Sequence, residues 1–138
     1  GLDQLTYFGS GPFETAPDRS IGKIHRWSSS VADQYVPYVK PQENGGHVGV
    51  RWFTLTNQTN RGLYFQLDKP RMVTVSPMRS RDLAAATHNI FVQPSANTVV
   101  TIDAIHRGVG TASCGPDTLA KYRIKPGTYK WSWTVLTF

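Results

Sequence analysis

The chain has 138 residues, a net charge of +6 and one cysteine, which suits one domain or part of one. With 39% hydrophobic and 12% aromatic residues it has enough material for a packed core and is not a disordered chain. A lone thiol makes no internal disulfide, no apolar run reaches the about 18–20 residues of a membrane helix, and the basic residues are scattered without a nucleic-acid motif, so neither membrane nor nucleic acid is an expected partner.

In chain order, the segment Gly9–Pro41 is rich in Gly, Pro, Ser and Tyr with little strand periodicity, and it reads as a long irregular connection. Within it only "KIHRW" (Lys23–Trp27) alternates in part. "HVGVRWFTLTN" (His47–Asn57) is a strong strand. Period-two reading puts Val48, Val50, Trp52 and Thr54 on one face and His47, Gly49, Arg51, Phe53 and Leu55 on the other, apolar on both. "NQTNRG" is a polar turn, and "GLYFQLD" (Gly62–Asp68) is the return arm of a hairpin. "RMVTVSP" (Arg71–Pro77), "TVVTIDAIH" (Thr98–His106) and "YKWSWTVLTF" (Tyr129–Phe138) read as further strands. One helix is expected over Ser80–His88, with Ser80 as N-cap, Asp82 in the first turn and a run of alanines. Six or so strands with one short helix predict an all-β antiparallel sandwich or part of one.

The chemistry-bearing residues are sparse. Hydrolysis by a glycosidase needs two carboxylates about 5–9.5 Å apart. Glu14 and Asp18 fall in the Pro-bounded loop "GPFETAPDR" beside Arg19, and Glu43 precedes a turn in "PQENGG". Acids so placed read as loop-fixing groups, and no catalytic residue is assigned. The only cysteine, Cys114, lies in the glycine-rich "GVGTASCGPD". It is a candidate nucleophile beside one of His25, His47, His88 or His106, a metal ligand, or a wall of a pocket. No Cys–His enzyme signature surrounds it, and one Cys with scattered His does not make a metal set. The glycines follow a strand without opening a helix, so the dinucleotide fingerprint fails on context. A turn-rich loop with Gly110, Ser113, Cys114 and Gly115 near its tip remains, readable as a recognition loop or as a structural turn.

Three blocks resemble one family. "GSGPFETAPDR" (Gly9–Arg19) is similar to the G-x-G-P-x-E-x-x-P-D-R segment of family 2 β-galactosidases. "YVPYVKPQENGG" (Tyr35–Gly46) and "DAIHRGVGTASCGPDTLAKYRIKPGTYKWSW" (Asp103–Trp133) resemble later segments of the same enzymes, in the same order. The resemblance covers almost the whole chain and is to the second half of the C-terminal, small-chain domain. It implies an antiparallel supersandwich shared with galactose mutarotases, with residues 1–138 as a single domain or a fragment. It also implies that the catalytic glutamates lie in a separate barrel domain, that this chain alone is inactive, and that it carries no cofactor or metal. The implied partners are the remaining domains and a galactoside at the loop; if half of the expected sandwich is missing, unpaired edges and an uncovered apolar face lead us to expect a homo-oligomer or binding of a missing segment. In the best-known members the loop matching Gly108–Pro116 leans over the active-site mouth and stacks a tryptophan on the aglycone sugar. Here Cys114 takes that position, so direct stacking by this residue is not expected. His47 stands where many relatives carry arginine. Glu14, Asp18, Arg19 and Glu43 match recurring positions, expected to fix loops.

Two other readings stay open: an autonomous carbohydrate-binding module, or a structural subunit-interaction domain. Trp27, Trp52, Trp131 and Trp133 lie on strand-like runs, which favours core over a sugar platform. The lone cysteine favours the cytoplasm, and a chain opening on Gly1 reads as a processed product or a fragment.

Overall fold

A computed structural model of the chain describes residues 1–110 and 115–138. Six antiparallel strands make one sheet: β1 (Gln4–Gly11), β2 (Lys23–Ser30), β3 (Gly46–Thr56), β4 (Gly62–Ser76), β5 (Val99–Ile102) and β6 (Trp133–Thr137). The order is β2-β1-β3-β4-β5, with β6 also on β4. The antiparallel β architecture with one short helix is as the sequence led us to expect. The second layer of a sandwich is not found among the described residues. Among them, too, no helix is long and apolar enough to cross a membrane.

Alternation builds one apolar face. Leu5 and Tyr7 on β1, Phe53 and Leu55 on β3, and Phe65, Leu67, Val73 and Val75 on β4 are buried in a single cluster. Phe53 is fully buried, with its ring 4.3 Å from that of Phe65 and nearly parallel to it. The opposite face carries a half-buried aromatic row, Phe8, Trp52 and Tyr64, at centroid distances of 6.3 and 6.0 Å. The expectation that β3 is apolar on both sides therefore holds, but its face assignment does not hold throughout. Gly49, at φ +69°, creates a bulge, so that three steps along β3 (His47 to Val50) answer two along β4 (Val73 to Arg71). The extra residue turns Val50 over to join Phe53 in the core, away from Trp52.

The hairpin between β3 and β4 closes through residues 57–61, where the Asn57 side-chain oxygen accepts from the amides of Thr59 and Arg61. Gly62 starts the return arm because a Cβ there would lie 1.9 Å from the Leu55 carbonyl oxygen. The two strands expected at Gly62–Asp68 and Arg71–Pro77 are one long strand. The interruption at Asp68–Pro70 is a local excursion: two steps on β3 (Val50 to Trp52) answer five on β4 (Arg71 to Gln66). Pro70, with no N–H to give, sits where the ladder is broken. Arg71 is buried and closes the excursion. Its Nε and Nη2 donate to the two Asp68 oxygens at 2.8 and 2.6 Å, and Nη1 donates to the Ala104 carbonyl at 2.7 Å.

Other boundaries differ from expectation. β1 is a full strand where none was expected, and its end runs into the segment from Gly9 read as an irregular connection. β5 and β6 are shorter than the runs Thr98–His106 and Tyr129–Phe138. The helix α1 spans Ser80–Ala85, capped by Arg79 without a side-chain bond, so Ser80 is its first residue and not its N-cap. Trp131 and Trp133, read as core, are 44% and 47% exposed.

His47 is buried inside this frame. Its Nε2 meets the Gln34 side-chain oxygen, and Nδ1 lies 3.0 Å from the Tyr7 hydroxyl and from the Ser10 carbonyl. Burial lowers its pKa to about 4, outweighing the Ser10 carbonyl and the charge of Glu14, which favour the imidazolium. The unfolded ring titrates near 6.5, so the stabilisation is complete above that pH and fades as pH falls toward about 4. Urea unfolding should lose about 3 kcal/mol to this ring across that window. A His47→Gln variant should lack that component of the slope; equal slopes in the two proteins would refute the assignment.

Candidate functional site

The first motif block packs onto the start of β3. Residues Ala16 and Arg19 exchange backbone hydrogen bonds in a tight turn, Thr15 donates its amide to the Gly46 carbonyl at 2.7 Å, and its hydroxyl accepts from Val48 N–H at 2.9 Å. This turn aims Glu14 and Asp18 at two different loops. Glu14 Oε1 meets Arg19 Nη1 at 2.9 Å and accepts from the Tyr38 hydroxyl, while Oε2 accepts from Gly45 N–H at 2.9 Å. Gly45 has φ +70°, and a Cβ there would meet the Gln34 carbonyl oxygen at 2.4 Å, so the turn that offers this amide to the carboxylate takes a glycine. The bond to Glu14, with burial, holds the Tyr38 hydroxyl pKa above the usual tyrosine range.

Asp18 reaches the other loop. Its carboxylate accepts from the N–H groups of Val109 (3.0 and 3.1 Å to the two oxygens) and Gly110 (2.9 Å). Burial pushes its pKa up, but the two amides and the nearby His106 outweigh this and hold it below the ordinary aspartate value. Gly108 sits at φ +99°, where an added Cβ would come within 2.3 Å of the Asp18 carboxyl carbon. The second block supplies Glu43, whose Oε1 lies 2.9 Å from His106 Nε2. Gly108 N–H donates to His106 Nδ1 at 2.9 Å, so in the neutral ring Nε2 carries the proton given to Glu43. The bond to Glu43 raises the His106 pKa, with the charges of Asp103 and Asp18 adding to it and burial opposing.

The returning stem is held separately. Arg107 pairs with Asp117 and donates through Nη2 to the Thr118 hydroxyl at 2.7 Å. Arg123 Nη2 stands 3.4 Å from the other Asp117 oxygen, and its Nε donates to the Thr118 carbonyl at 3.0 Å. Between the blocks lies a cavity of about 210 Å³ lined by Glu14, Arg19, Tyr38, Glu43, Asn44 and Val109 among others.

Of the residues expected near a ligand, Gly110 is held by Asp18 and Gly115 is exposed, with nothing within 4 Å of an added Cβ. Ser113 and Cys114 lie outside the described residues. Glu14 pairs with Arg19; Asp18 and Glu43 act on the loop stem instead. Tyr38, Arg107, Asp117, Thr118 and Arg123 were not foreseen. Of these, Arg107 adjoins His106 and Asp117 adjoins Pro116, residues that sequence reasoning had named. His106 has both ring nitrogens engaged, His25 packs edge-on to Trp27, and His88 meets the Thr87 hydroxyl.

The three blocks thus converge on one loop stem from distant parts of the chain. The family model described as "Beta galactosidase small chain" matches residues 1–135. The chain belongs to the β-galactosidase small-chain family. A β-galactosidase of Actinobacillus pleuropneumoniae is 30% identical over 127 residues, covering 91% of this chain and 12% of that protein. One from Leuconostoc mesenteroides subsp. mesenteroides is 30% identical over 134 residues, 96% of this chain and 12% of the relative. One from Priestia megaterium is 34% identical over 110 residues, 79% and 11% respectively. The chain therefore spans only about an eighth of the length of these curated relatives.

In this small-chain member, the amides of Val109 and Gly110 depend on one carboxylate. An Asp18→Ala variant should speed their hydrogen exchange by about tenfold or more, the loss of hydrogen bonds to a charged group. Amides of β3 should keep their protection. Unchanged exchange at Val109 and Gly110 would show that Asp18 does not anchor the stem.

Proposed function

We propose that the chain is a non-catalytic part of a β-galactosidase that hydrolyses terminal β-D-galactosides. In this reading residues 1–138 form the second half of its small-chain domain within a sandwich completed by other parts of the parent. They scaffold the assembly and present the loop 108–116 to the aglycone side of the pocket. The parent is a cytoplasmic enzyme, in keeping with the lone cysteine, and it draws no cofactor from this chain.

The observation that carries the reading is how the motif carboxylates are used. Glu14 is taken by Arg19, Tyr38 and the Gly45 amide, Asp18 by two loop amides, and Glu43 by His106. A retaining or inverting glycosidase needs one carboxylate able to protonate the leaving oxygen and another facing the anomeric carbon. Acids committed to backbone amides and cations are suited to placing a loop, and they leave the acid–base pair to another part of the parent.

The exposed Trp131 and Trp133, with ring centroids 6.4 Å apart, favour a second reading as a carbohydrate-binding module. The two are separated by experiment. The pure chain should release no product from a nitrophenyl galactoside, and turnover by that sample would overturn the non-catalytic reading. Titration with galactose or lactose should leave tryptophan fluorescence unchanged; a saturable change would favour the binding module.

A further inference from the structure

We infer that Asn44–Gly45 is a masked deamidation site: the folded chain suppresses a spontaneous ring closure there, with the Glu14 carboxylate as its guard, and opening of the turn releases it. The inference goes beyond the functional reading above, since it concerns a covalent modification of this chain and holds whether or not the loop meets a sugar.

Of the five asparagines, only Asn44 precedes a glycine. Asparagine is thermolabile because the backbone nitrogen of the next residue can attack its side-chain carbonyl carbon. Where that residue has no Cβ, nothing hinders the approach. In the reaction Gly45 N bonds to Asn44 Cγ and the Cγ–Nδ2 bond breaks. Nδ2 leaves as ammonia, with the proton that Gly45 N gave up. Water then opens the cyclic imide at one carbonyl or the other, which yields aspartate or isoaspartate. Water is the only co-reactant.

In the fold, each group that must move is held. Asn44 is buried, its Oδ1 accepts from Val36 N–H at 3.0 Å, and its Nδ2 donates to the Gln42 carbonyl at 2.9 Å. These bonds fix both the carbonyl to be attacked and the nitrogen that would leave. Gly45 N–H, the source of the attacking nitrogen, donates to Glu14 Oε2 at 2.9 Å. A carboxylate is far too weak a base to take an amide proton. Its charge also opposes the anion that Gly45 N must become before it attacks. Glu14 is itself kept in place by Arg19 and the Tyr38 hydroxyl. The turn needs both members of the labile pair. Asn44 supplies an acceptor to one neighbour and a donor to another, and a Cβ at position 45 would collide with the Gln34 carbonyl oxygen.

Conversion would undo the same contacts. Aspartate at position 44 has no N–H for the Gln42 carbonyl, and it adds a negative charge between Glu43 and the amide that Glu14 holds. Isoaspartate adds a methylene to the main chain and displaces Gly45 from Glu14. Gly46 follows, and its carbonyl takes the Thr15 amide at 2.7 Å. The modification therefore loosens the first motif block from the start of β3, and it runs one way.

The test incubates the purified chain at mildly alkaline pH and follows every asparagine by peptide mass mapping. In urea, Asn44 should convert before Asn57, Asn60, Asn89 and Asn97. In buffer, the folded chain should convert Asn44 at least about tenfold more slowly than in urea, since the reaction waits on local opening. A Glu14→Ala variant, folded by far-UV circular dichroism and with β3 amides still protected, should convert Asn44 about tenfold faster than the unaltered folded chain, or more. That is the loss of a hydrogen bond to a charged group. The other asparagines should keep their rates. Glu14→Gln keeps the length and removes the charge; it should give a smaller rise in the same direction and serves if the alanine variant does not fold. Conversion of another asparagine first in urea overturns the inference, as do equal Asn44 rates in buffer and in urea. So does an unchanged or slower rate in a folded Glu14 variant, the result expected if the carboxylate acted as a base.

Discussion

Arg71 stands where β4 changes partners, and the sheet beyond that point depends on how its charge is satisfied. Before it, β4 pairs outward with β6; after it, with β5. A guanidinium buried at such a junction would be strongly destabilising if unpaired. Asp68 meets it with both oxygens, and the two remaining directions go to the carbonyls of Ala104 and Lys130, the second at 3.2 Å. These carbonyls belong to the segments that follow β5 and precede β6. One side chain therefore fixes where both outer strands leave or join the sheet. The stem of the loop begins just beyond Ala104, so the position of the candidate site follows from the same ion. Lysine would not serve there: it is a point charge without the planar fork that matches a carboxylate and two carbonyls.

A second constraint acts through carboxylates. The loop 105–110 has glycine at its turning point, and Val109 and Gly110 meet Asp18, 91 and 92 positions earlier in the chain. Backbone amides gathered at such a turn attract an anion. Asp18 provides it from within the chain, as Glu14 does for Gly45 on the other side of the same motif. The spacing of the two acids on the short turn 14–19 lets one block organise two loops. This explains why a segment with little strand periodicity has so many polar residues with definite partners.

The legible parts of the sequence were those governed by local rules. The β3–β4 hairpin was visible because alternation and turn chemistry agree around residues 57–61. β1 was missed because its end runs into the Gly- and Pro-rich segment from Gly9, although Leu5 and Tyr7 alternate with Thr6 and Phe8. β4 was split at Pro70 because a proline reads as an end, and only Arg71, a residue with no sequence signal of its own, shows why the chain continues. Val50 was assigned to the wrong face because a period of two cannot register the extra residue at Gly49. Trp131 and Trp133 were read as core because hydrophobic character says nothing about what stands opposite a strand. At the site, the motif acids were recognisable as a group. Their partners were not, since Asp18 with Gly110 and Glu43 with His106 are contacts made by the fold.

The two histidines that hold motif segments show how far one side chain is defined by its surroundings. His47 is buried among a hydroxyl, a carbonyl and an amide, with no carboxylate against the ring, so loss of water dominates and the ring stays neutral. His106 is bonded to Glu43, with Asp103 and Asp18 nearby, and these negative groups favour its protonation. Yet Gly108 N–H points at its Nδ1, and a proton there would displace that amide. The charge around His106 and the hydrogen bond it gives to the loop therefore pull in opposite directions. Below the titration of His106 the Gly108 amide loses its acceptor, while the amides of Val109 and Gly110 stay on Asp18, whose own pKa is lowered by the amides it holds. The anchor that remains is the one that stays charged to lower pH, so the turn at Gly108–Gly110 keeps a partner across the range in which the histidine changes state.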